Sequence, residues 1–209
     1  MQLRSRVILN SSHPNRRQAE QFIASTFHAH YGAEIESLPS TLIVRLGSNE
    51  QVTCAAGIRF SKDGFFSEKY LSEPIENALS RITRTLIHRR QILEVTSLVS
   101  RDAKQTASFF RDIVTFGRCQ GQSWAIFTLT SRLSDMMMRI GIPLLYIGRA
   151  DQACIADAGR WGTYYEQNPC VFASPYPEIF HRVVGQEGEQ EDGASPAIGS
   201  GIDGFGNPA

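Results

Sequence analysis

Two glutamates stand where a carboxylate can do acid–base chemistry, and the first is Glu94. It lies in the middle of an apolar run, residues 92–99 (ILEVTSLV), on the face that we expect to carry Thr96 and Leu98. Burying a carboxylate in a central strand is costly unless the charge is paired or used in a reaction. We therefore predict that Glu94 accepts a proton during catalysis, directly or through water. The alternative is a salt bridge with Arg59 on a neighbouring strand.

The second carboxylate, Glu68, belongs to a segment that reads as extended, residues 65–71 (FFSEKYL). In an extended segment Phe66, Glu68 and Tyr70 share one side. A carboxylate beside a phenol suits an amino group on a substrate, so these residues are candidates for catalysis and substrate binding. The alternative is a surface stretch in which Tyr70 is half-buried and Glu68 is solvated beside Lys69.

Other kinds of reactive site lack support in the sequence. There is no Ser–His–Asp order, no GxSxG turn and no Walker loop, so hydrolase and nucleoside-triphosphatase functions are not indicated. The five histidines have no metal-ligand spacing. The four cysteines are far apart, which makes zinc ligation or a disulfide framework unexpected. We predict no metal site and no tightly bound cofactor.

The two carboxylates must be positioned by a strand–helix–strand–helix–strand unit with short connections. The second helix is the best signalled, because four apolar residues (Leu133, Met136, Met137 and Ile140) fall on one face and Gly141 suits its C-terminal end. Such alternation argues for a sheet with helices on its faces. The five predicted elements are residues 92–99, 105–118, 123–130, 131–140 and 142–148.

The first half of the chain reads differently. A helix should begin near His13 and end at Gly32, and two strands, 41–45 and 51–60, are joined by a turn. Another helix should begin at 72–74 and continue to a basic cluster at 88–90. The predicted fold is a mixed α/β sheet, mostly antiparallel, with an antiparallel first half. Residues 1–184 are read as a single domain, and residues 185–209 as a disordered C-terminal tail.

Composition restricts the function classes further. The 209 residues carry 21 basic and 21 acidic side chains, for a formal net charge of zero, so nucleic acid and anionic membranes are not expected partners. No apolar run approaches the length of a membrane span or of a signal peptide. We expect a soluble, cytoplasmic protein.

Five segments resemble a known bacterial family. They are 13–33, 66–76, 94–100, the block 124–141 and 161–173. Their content and order are similar to the family called "thermostable hemolysin", and the element order resembles the GNAT acyltransferase superfamily and the acyl-homoserine-lactone synthases. The resemblance implies a GNAT-like twisted sheet with helices on both faces.

The resemblance also implies a site for a pantetheine thioester, from coenzyme A or an acyl-carrier protein. It implies that the strand of Glu94 parts from the strand that begins at Trp124, leaving a slot for the pantetheine arm. The expected donor-binding residues are Leu98, Val99, Ser100, Arg101, Lys104, Gln105 and Thr106. The expected substrate-binding residues are Phe66, Tyr70, Thr96, Ser97 and Trp124, with Glu94 and Glu68 catalytic. The alternative for the 100–106 loop is a solvated loop with an ordinary capping Asp102.

The chain departs from the family pattern at several positions. Thr96 and Ser97 replace a Gly-Asn pair, Val99 replaces an alanine, and Lys104 replaces a glycine. Met137 occupies the position where many GNAT enzymes have a proton-donating tyrosine. The 100–106 loop has no glycine, which favours a carrier-protein donor with its single phosphate over coenzyme A.

Three functions follow as hypotheses. The first is an acyltransferase or acyl-condensing enzyme that moves an acyl group from a pantetheine thioester to a small amine or amino-acid derivative, for instance in secondary metabolism. The second is a non-catalytic member of the fold that binds an acyl ligand or a carrier protein. The third, a membrane-lytic protein, is disfavoured by the neutral charge and the lack of a basic amphipathic helix.

Overall fold

The computed structural model describes residues 6–176, except for the side chains of Arg6 and Ala103. The end of the predicted domain at 184 and the predicted tail at 185–209 lie outside the described residues. In the described part, no helix combines the length and the apolarity needed to cross a membrane.

Seven strands form one sheet in the order β1-β2-β3-β4-β5-β7-β6. Every neighbouring pair is antiparallel except β4 and β5, which run parallel. The predicted mixed, mostly antiparallel sheet is therefore confirmed. The strands are β1 (Arg6–Leu9), β2 (Thr41–Leu46), β3 (Val52–Phe60), β4 (Ile92–Ser100), β5 (Trp124–Leu129), β6 (Leu145–Arg149) and β7 (Cys170–Pro175).

Four helices cover both faces of this sheet: α1 (Arg16–Tyr31), α2 (Ile75–Thr83), α3 (Ala103–Cys119) and α4 (Ser131–Arg139). Successive side chains of a strand point to opposite faces. In β2, Leu42 therefore packs with the apolar residues of α1, whereas Ile43 packs with those of α3. Helix α2 packs on the same face as α1, over the beginnings of β4 and β5.

The structure differs from the predictions in three elements. The segment 65–71 is not extended, because Phe66–Tyr70 forms a 3₁₀ helix. Helix α2 does not reach the basic cluster at 88–90. It ends at Thr83, where Arg84 takes a left-handed conformation, and Leu86 is consequently 74% exposed. Strand β7 was not predicted as a strand, and it lies between β5 and β6.

Candidate functional site

Strands β4 and β5 part in the middle of the sheet. Their register runs from the pair Ile92–Trp124 to the pair Val95–Phe127 and goes no further. Beyond that point β4 stays paired with β3 as far as Ser100, and β5 stays paired with β7 as far as Leu129. The facing edges are thus free to receive an extended ligand, and the predicted separation of the two strands is confirmed.

A β-bulge in β4 lies where the strands separate. Gly57 of β3 pairs with Thr96 and Ala55 pairs with Val99, so β4 has one residue more than β3 in this interval. Ser97 absorbs it with a left-handed φ of 49°. The extra residue shifts the alternation by one. Leu98 therefore packs on the α3 face, and the prediction that it shares a face with Glu94 was wrong.

A cavity of about 300 Å³ occupies the gap, which is near the lower end of the ~300–1,000 Å³ typical of ligand pockets. Residues 95–98 of β4 and 127–130 at the end of β5 form its two sides. Because strand side chains alternate, the cavity meets both faces of the sheet. Its α1 side is walled by aromatic side chains, namely Phe27, Tyr31, Phe66, Tyr70, Trp161 and Tyr164.

Glu94 lines the cavity and is only 1% exposed. Its Oε1 accepts hydrogen bonds from the backbone N–H of Ser67 at 2.7 Å and from the Ser67 hydroxyl at 2.5 Å. Its Oε2 accepts one from the backbone N–H of Phe66 at 2.6 Å. The carboxylate thus anchors the first turn of the 3₁₀ helix, and one acceptor position of Oε2 remains available.

Burial raises the pKa of Glu94 above its ordinary value of 4.5. The hydrogen bonds from Ser67 and Phe66 and the positive charge of Arg59 oppose that rise without cancelling it. A carboxylate whose pKa is raised holds a proton more readily than a surface glutamate does. The position thus suits a group that accepts a proton.

Arg59 pairs with Glu94 across β3 and β4, as expected if the two residues form a salt bridge. The distance from Arg59 Nε to Glu94 Oε2 is 4.0 Å, which is an ion pair but not a hydrogen bond. Arg59 Nε and Thr96 Oγ1 are buried and have no hydrogen-bond partner. The cavity wall therefore contains a salt bridge and two unused polar atoms.

Tyrosine hydroxyls form part of the same wall. Tyr70 and Tyr165 share a hydrogen bond of 2.8 Å, and the Tyr164 hydroxyl donates to the carbonyl of Thr128 at 3.3 Å. Burial raises the pKa values of Tyr31, Tyr70 and Tyr164 above the ordinary 10.0. These phenols therefore remain neutral at physiological pH and act as hydrogen-bond donors.

Glu68 lies outside the cavity. Its carboxylate forms a two-pronged ion pair with Arg89 and accepts a hydrogen bond from the N–H of Ile75 at 3.1 Å, at the start of α2. The Arg89 hydrogen bond is the main cause of the lowered pKa of Glu68. The 3₁₀ conformation explains the difference from the prediction, because residues 66, 68 and 70 do not share one side of a 3₁₀ helix. Glu68 is placed to hold α2 against this turn.

The other predicted substrate-binding residues divide between the cavity and the core. Phe66, Tyr70, Thr96 and Ser97 line the cavity. Trp124 does not, because it is 2% exposed and packs with Ile92 and the α2 helix. It begins β5 at the closed end of the strand pair, before the gap opens.

Among the predicted donor-binding residues, Leu98 lines the cavity and Val99 is buried against the α1 helix. The remainder of that set, Ser100, Arg101, Lys104, Gln105 and Thr106, lies around the start of α3, beyond the cavity wall. The Asp102 carboxylate caps this helix by accepting from the N–H of Lys104 at 2.9 Å. The capping role that the alternative gave to Asp102 is thus present, and donor binding by this loop stays a prediction.

Arg101 is also engaged within the chain. Its Nε donates to the carbonyl of Val52 at 3.0 Å, and its guanidinium lies over the ring of Phe22, 5.4 Å from the centroid. A pyrophosphate at the α3 N-terminus would meet the negative charge of the Asp102 carboxylate, which already accepts from the N–H of Lys104. This arrangement offers little stabilisation to a phosphate group at this position.

Sequence reasoning missed part of the site. Ser67 was not singled out, although it supplies two of the three hydrogen bonds to Glu94. Trp161 and Tyr164 were not among the predicted site residues, and they face the cavity. The concentration of aromatic residues within 161–165 could have indicated a binding surface. No feature of the sequence around Ser67 indicates its role.

Comparison with known proteins gives a family and a fold. The family described as "Thermostable hemolysin" matches residues 9–178. No curated protein sequence matches significantly. Solved structures with the same fold include FeeM, an N-acyl amino acid synthase from uncultured soil microbes, at a TM-score of 0.58 and 14% identity, covering 84% of this chain and 92% of that one.

Two further solved structures agree with that fold. The AHL synthase LasI superposes with a TM-score of 0.55 at 10% identity, covering 83% of this chain and 91% of its own. TofI in an apo form superposes with a TM-score of 0.56 at 9% identity, covering 87% of this chain and 96% of the TofI chain. At these identities the likeness concerns the fold, which is that of the GNAT-like acyltransferases.

Proposed function

Since the chain belongs to the thermostable hemolysin family and has a GNAT-like acyltransferase fold, we propose that it is an acyltransferase. The donor is a pantetheine thioester, from coenzyme A or an acyl-carrier protein, and the acceptor is a small amine or amino-acid derivative. Two of the similar structures are those of an N-acyl amino acid synthase and an AHL synthase, and these activities agree with this class of reaction.

One observation carries the proposal. The parallel strands β4 and β5 separate after Val95 and Phe127, and the cavity between them has Glu94 in its wall. Unpaired strand edges offer backbone N–H and C=O groups to an extended amide-containing chain, which describes the pantetheine arm. The same cavity brings a proton-accepting carboxylate to that chain.

The two faces of the cavity suit different parts of the reaction. Val95, Leu98 and Phe127 belong to or pack against the apolar cluster beneath α3 and α4, and they suit the acyl chain. Glu94 and Thr96 face the aromatic side, where the acceptor amine would lie. Holding the amine against the thioester carbonyl supplies much of the rate acceleration by positioning alone.

The chemical step balances without any further reagent. The amine nitrogen attacks the thioester carbonyl carbon, a C–N bond forms, the C–S bond breaks, and sulfur leaves as a thiolate that takes up a proton. Glu94 accepts the proton lost by the amine, through the open position on Oε2 or through water. Met137 is fully buried and has no proton to give, so the proton that Glu94 has accepted passes to the thiolate, directly or through water.

A direct assay tests this function. Purified protein is mixed with octanoyl-CoA, octanoyl-pantetheine or an octanoyl-carrier protein and a panel of primary amines, and mass spectrometry follows the free thiol and the N-octanoyl product. The proposal predicts equal amounts of both, with turnover reduced at least about 10-fold in Glu94→Gln and retained in Glu50→Gln, an exposed control. Absence of thioester turnover and of pantetheine binding would exclude the enzyme.

A non-catalytic binding protein is the second candidate, and the hydrogen bonds of Glu94 favour it. Three donors already occupy its two oxygens, which is how a purely structural carboxylate is satisfied. This candidate predicts that acyl-pantetheine binds in calorimetry, that no thiol is released, and that Glu94→Gln changes stability more than affinity. Thiol release that depends on the amine would reject it.

A further inference from the structure

Two buried polar atoms in one cavity wall lack hydrogen-bond partners. Arg59 Nε and Thr96 Oγ1 are both buried without a hydrogen bond, although both residues line the cavity. A buried polar group left unpaired costs about 1–3 kcal/mol, and native proteins contain few of them. A pair of them in the same wall indicates a position that a bound ligand completes.

The sheet register brings the two residues together. Arg59 is opposite Glu94, and Gly57 is opposite Thr96, so all four positions lie on one face of β3 and β4. The Thr96 hydroxyl packs closely on Gly57, because a Cβ there would lie 2.5 Å from Thr96 Oγ1 and 2.8 Å from the ring of Pro39, so a glycine at this position lets Thr96 take its place in the wall.

Arg59 has donors to spare. Among the described contacts its guanidinium makes one hydrogen bond, a long one of 3.4 Å from Nη1 to the carbonyl of Asp63. Its side chain is 27% exposed and so remains reachable from the cavity. The other guanidinium of the cavity wall, that of Arg160, is already paired with the carboxylates of Glu34 and Glu36.

The charges form a pattern that matches a particular class of acceptor. A cation and an anion, Arg59 and Glu94, lie side by side with 4.0 Å between Nε and Oε2. An α-amino acid carries a carboxylate and an amino group on one carbon, so it can meet both groups at once. The neighbouring aromatic wall, including Phe66 and Tyr70, suits an apolar side chain.

We propose that the acyl acceptor is an α-amino acid with an apolar side chain, whose carboxylate is bound by Arg59 and Thr96 while its amino group faces Glu94. This inference rests on the proposed acyltransferase function, since it assigns the acceptor end of the same cavity. A guanidinium–carboxylate pair with a hydroxyl beside it gives a charge-assisted recognition of that group.

Binding of product-like ligands tests the inference without any turnover. Calorimetry compares N-octanoyl-L-phenylalanine with its amide, N-octanoyl-L-phenylalaninamide, on the full chain. Wild type should bind the acid about 10- to 100-fold more tightly than the amide, the range expected for hydrogen bonds to a charged group. Arg59→Met should remove most of this preference, whereas Lys62→Met, an exposed cation just after β3, should keep it.

Thr96→Val separates recognition from folding. Because the Thr96 hydroxyl has no partner in the unliganded protein, this variant should unfold at an unchanged or higher urea concentration and still bind the acid less tightly. Equal affinity of wild type for acid and amide would overturn the inference. An equal loss of affinity for the acid and the amide in Arg59→Met would also overturn it, because a purely structural role of Arg59 would weaken the binding of both ligands alike.

A turnover assay tests carboxylate recognition by Arg59 and Thr96 separately from acyltransferase activity. With octanoyl-pantetheine as donor, L-phenylalanine and phenethylamine are compared as acceptors. Acylation of both at equal kcat/KM supports the enzyme and refutes carboxylate recognition. A clear preference for the acid in binding, with no acylation of any amine, supports the subsite and refutes the enzyme. Failure in both experiments refutes both.

Discussion

Glu94 is buried, and its hydrogen bonds and the charge of Arg59 only partly offset the cost of burying its negative charge. The protonation of Glu94 therefore affects the stability of the fold. Since burial raises its folded pKa above 4.5, the folded protein binds the proton more tightly than the unfolded chain does. The contribution of Glu94 to stability is therefore greatest below the unfolded pKa and is lost as the pH rises through the folded pKa.

The prediction concerns the difference between wild type and Glu94→Gln. As the pH increases from about 4 towards 8, the urea unfolding free energy of wild type should fall relative to that of Glu94→Gln. The comparison removes the effect of every other titrating group that the two proteins share. If the unfolding free energy of wild type minus that of Glu94→Gln stays constant or rises over this range, the pKa of Glu94 is not raised by folding.

Ser67 is the residue that makes the Glu94 site possible. Its hydroxyl donates to Glu94 Oε1 at 2.5 Å and lies 2.9 Å from the Thr128 hydroxyl, so it joins the 3₁₀ helix to both parting strands. Ser67→Ala should lower the unfolding free energy by about 1.5–3 kcal/mol, the value of a hydrogen bond to a charged group. Ser72→Ala, at an exposed position nearby, should change it by less than about 0.5 kcal/mol. Equal effects would contradict the assignment.

At the scale of elements, the aromatic wall depends on a close backbone contact. Gly162 has a φ of +53°, and a Cβ on it would lie 1.9 Å from the carbonyl oxygen of Tyr31, the last residue of α1. That oxygen also accepts a hydrogen bond from the N–H of Thr163 at 2.9 Å. Only glycine allows the segment that carries Trp161 and Tyr164 to approach α1 so closely.

Gly162→Ala should therefore lower the unfolding free energy by about 3 kcal/mol, combining a steric and a conformational penalty. Gly159→Ala is the matched control, because its Cβ would meet nothing within 4 Å. The control should be neutral or slightly stabilising. Thermal unfolding of both variants measures this, and similar melting temperatures would contradict the contact.

Sequence patterns were sufficient where local signals decide the structure. The positive φ of 79° at Gly141 and the core-facing Leu133, Met136 and Met137 of α4 were readable from residue types. Ile140, predicted on the same stripe, lies just after the helix and is 43% exposed. The 3₁₀ helix was not, because its backbone N–H groups are satisfied by Glu94, 27 and 28 residues further along the chain. Alternation of Phe66, Glu68 and Tyr70 suggested a strand, and a tertiary contact overrode that pattern.

The site was only partly predictable for the same reason. Glu94 stood out as a carboxylate in an apolar strand, and the resemblance to a family predicted the parting of β4 from β5. Arg59 entered as a salt-bridge partner, while its unpaired Nε follows from side-chain geometry alone. The bulge at Ser97, which moves Leu98 to the other face, depends on pairing with β3 and leaves no local sign.

At the scale of the molecule, the start of α3 bears on which donor the proposed enzyme would prefer. Asp102 caps the helix and Arg101 is bound to Val52 and Phe22. The distal nucleotide of coenzyme A should therefore contribute little to binding. We predict that octanoyl-pantetheine and octanoyl-CoA have kcat/KM values within about 10-fold of each other, a difference of less than about 1.4 kcal/mol.

A thiol-release assay with both donors at a fixed amine concentration measures this ratio. Asp102→Asn keeps a capping side chain and removes the negative charge, so it should improve octanoyl-CoA more than octanoyl-pantetheine. A 100-fold preference of the wild-type protein for octanoyl-CoA would mean that the α3 N-terminus does bind pyrophosphate.

The most direct test is a crystal structure with a non-hydrolysable octanoyl-pantetheine thioether. The account predicts that the pantetheine arm lies between residues 96–98 of β4 and 128–130 after β5, with its sulfur beside Glu94 and the octyl chain towards Leu133. A ligand bound elsewhere on the protein, or strands β4 and β5 closed on each other beyond Val95 and Phe127, would contradict it.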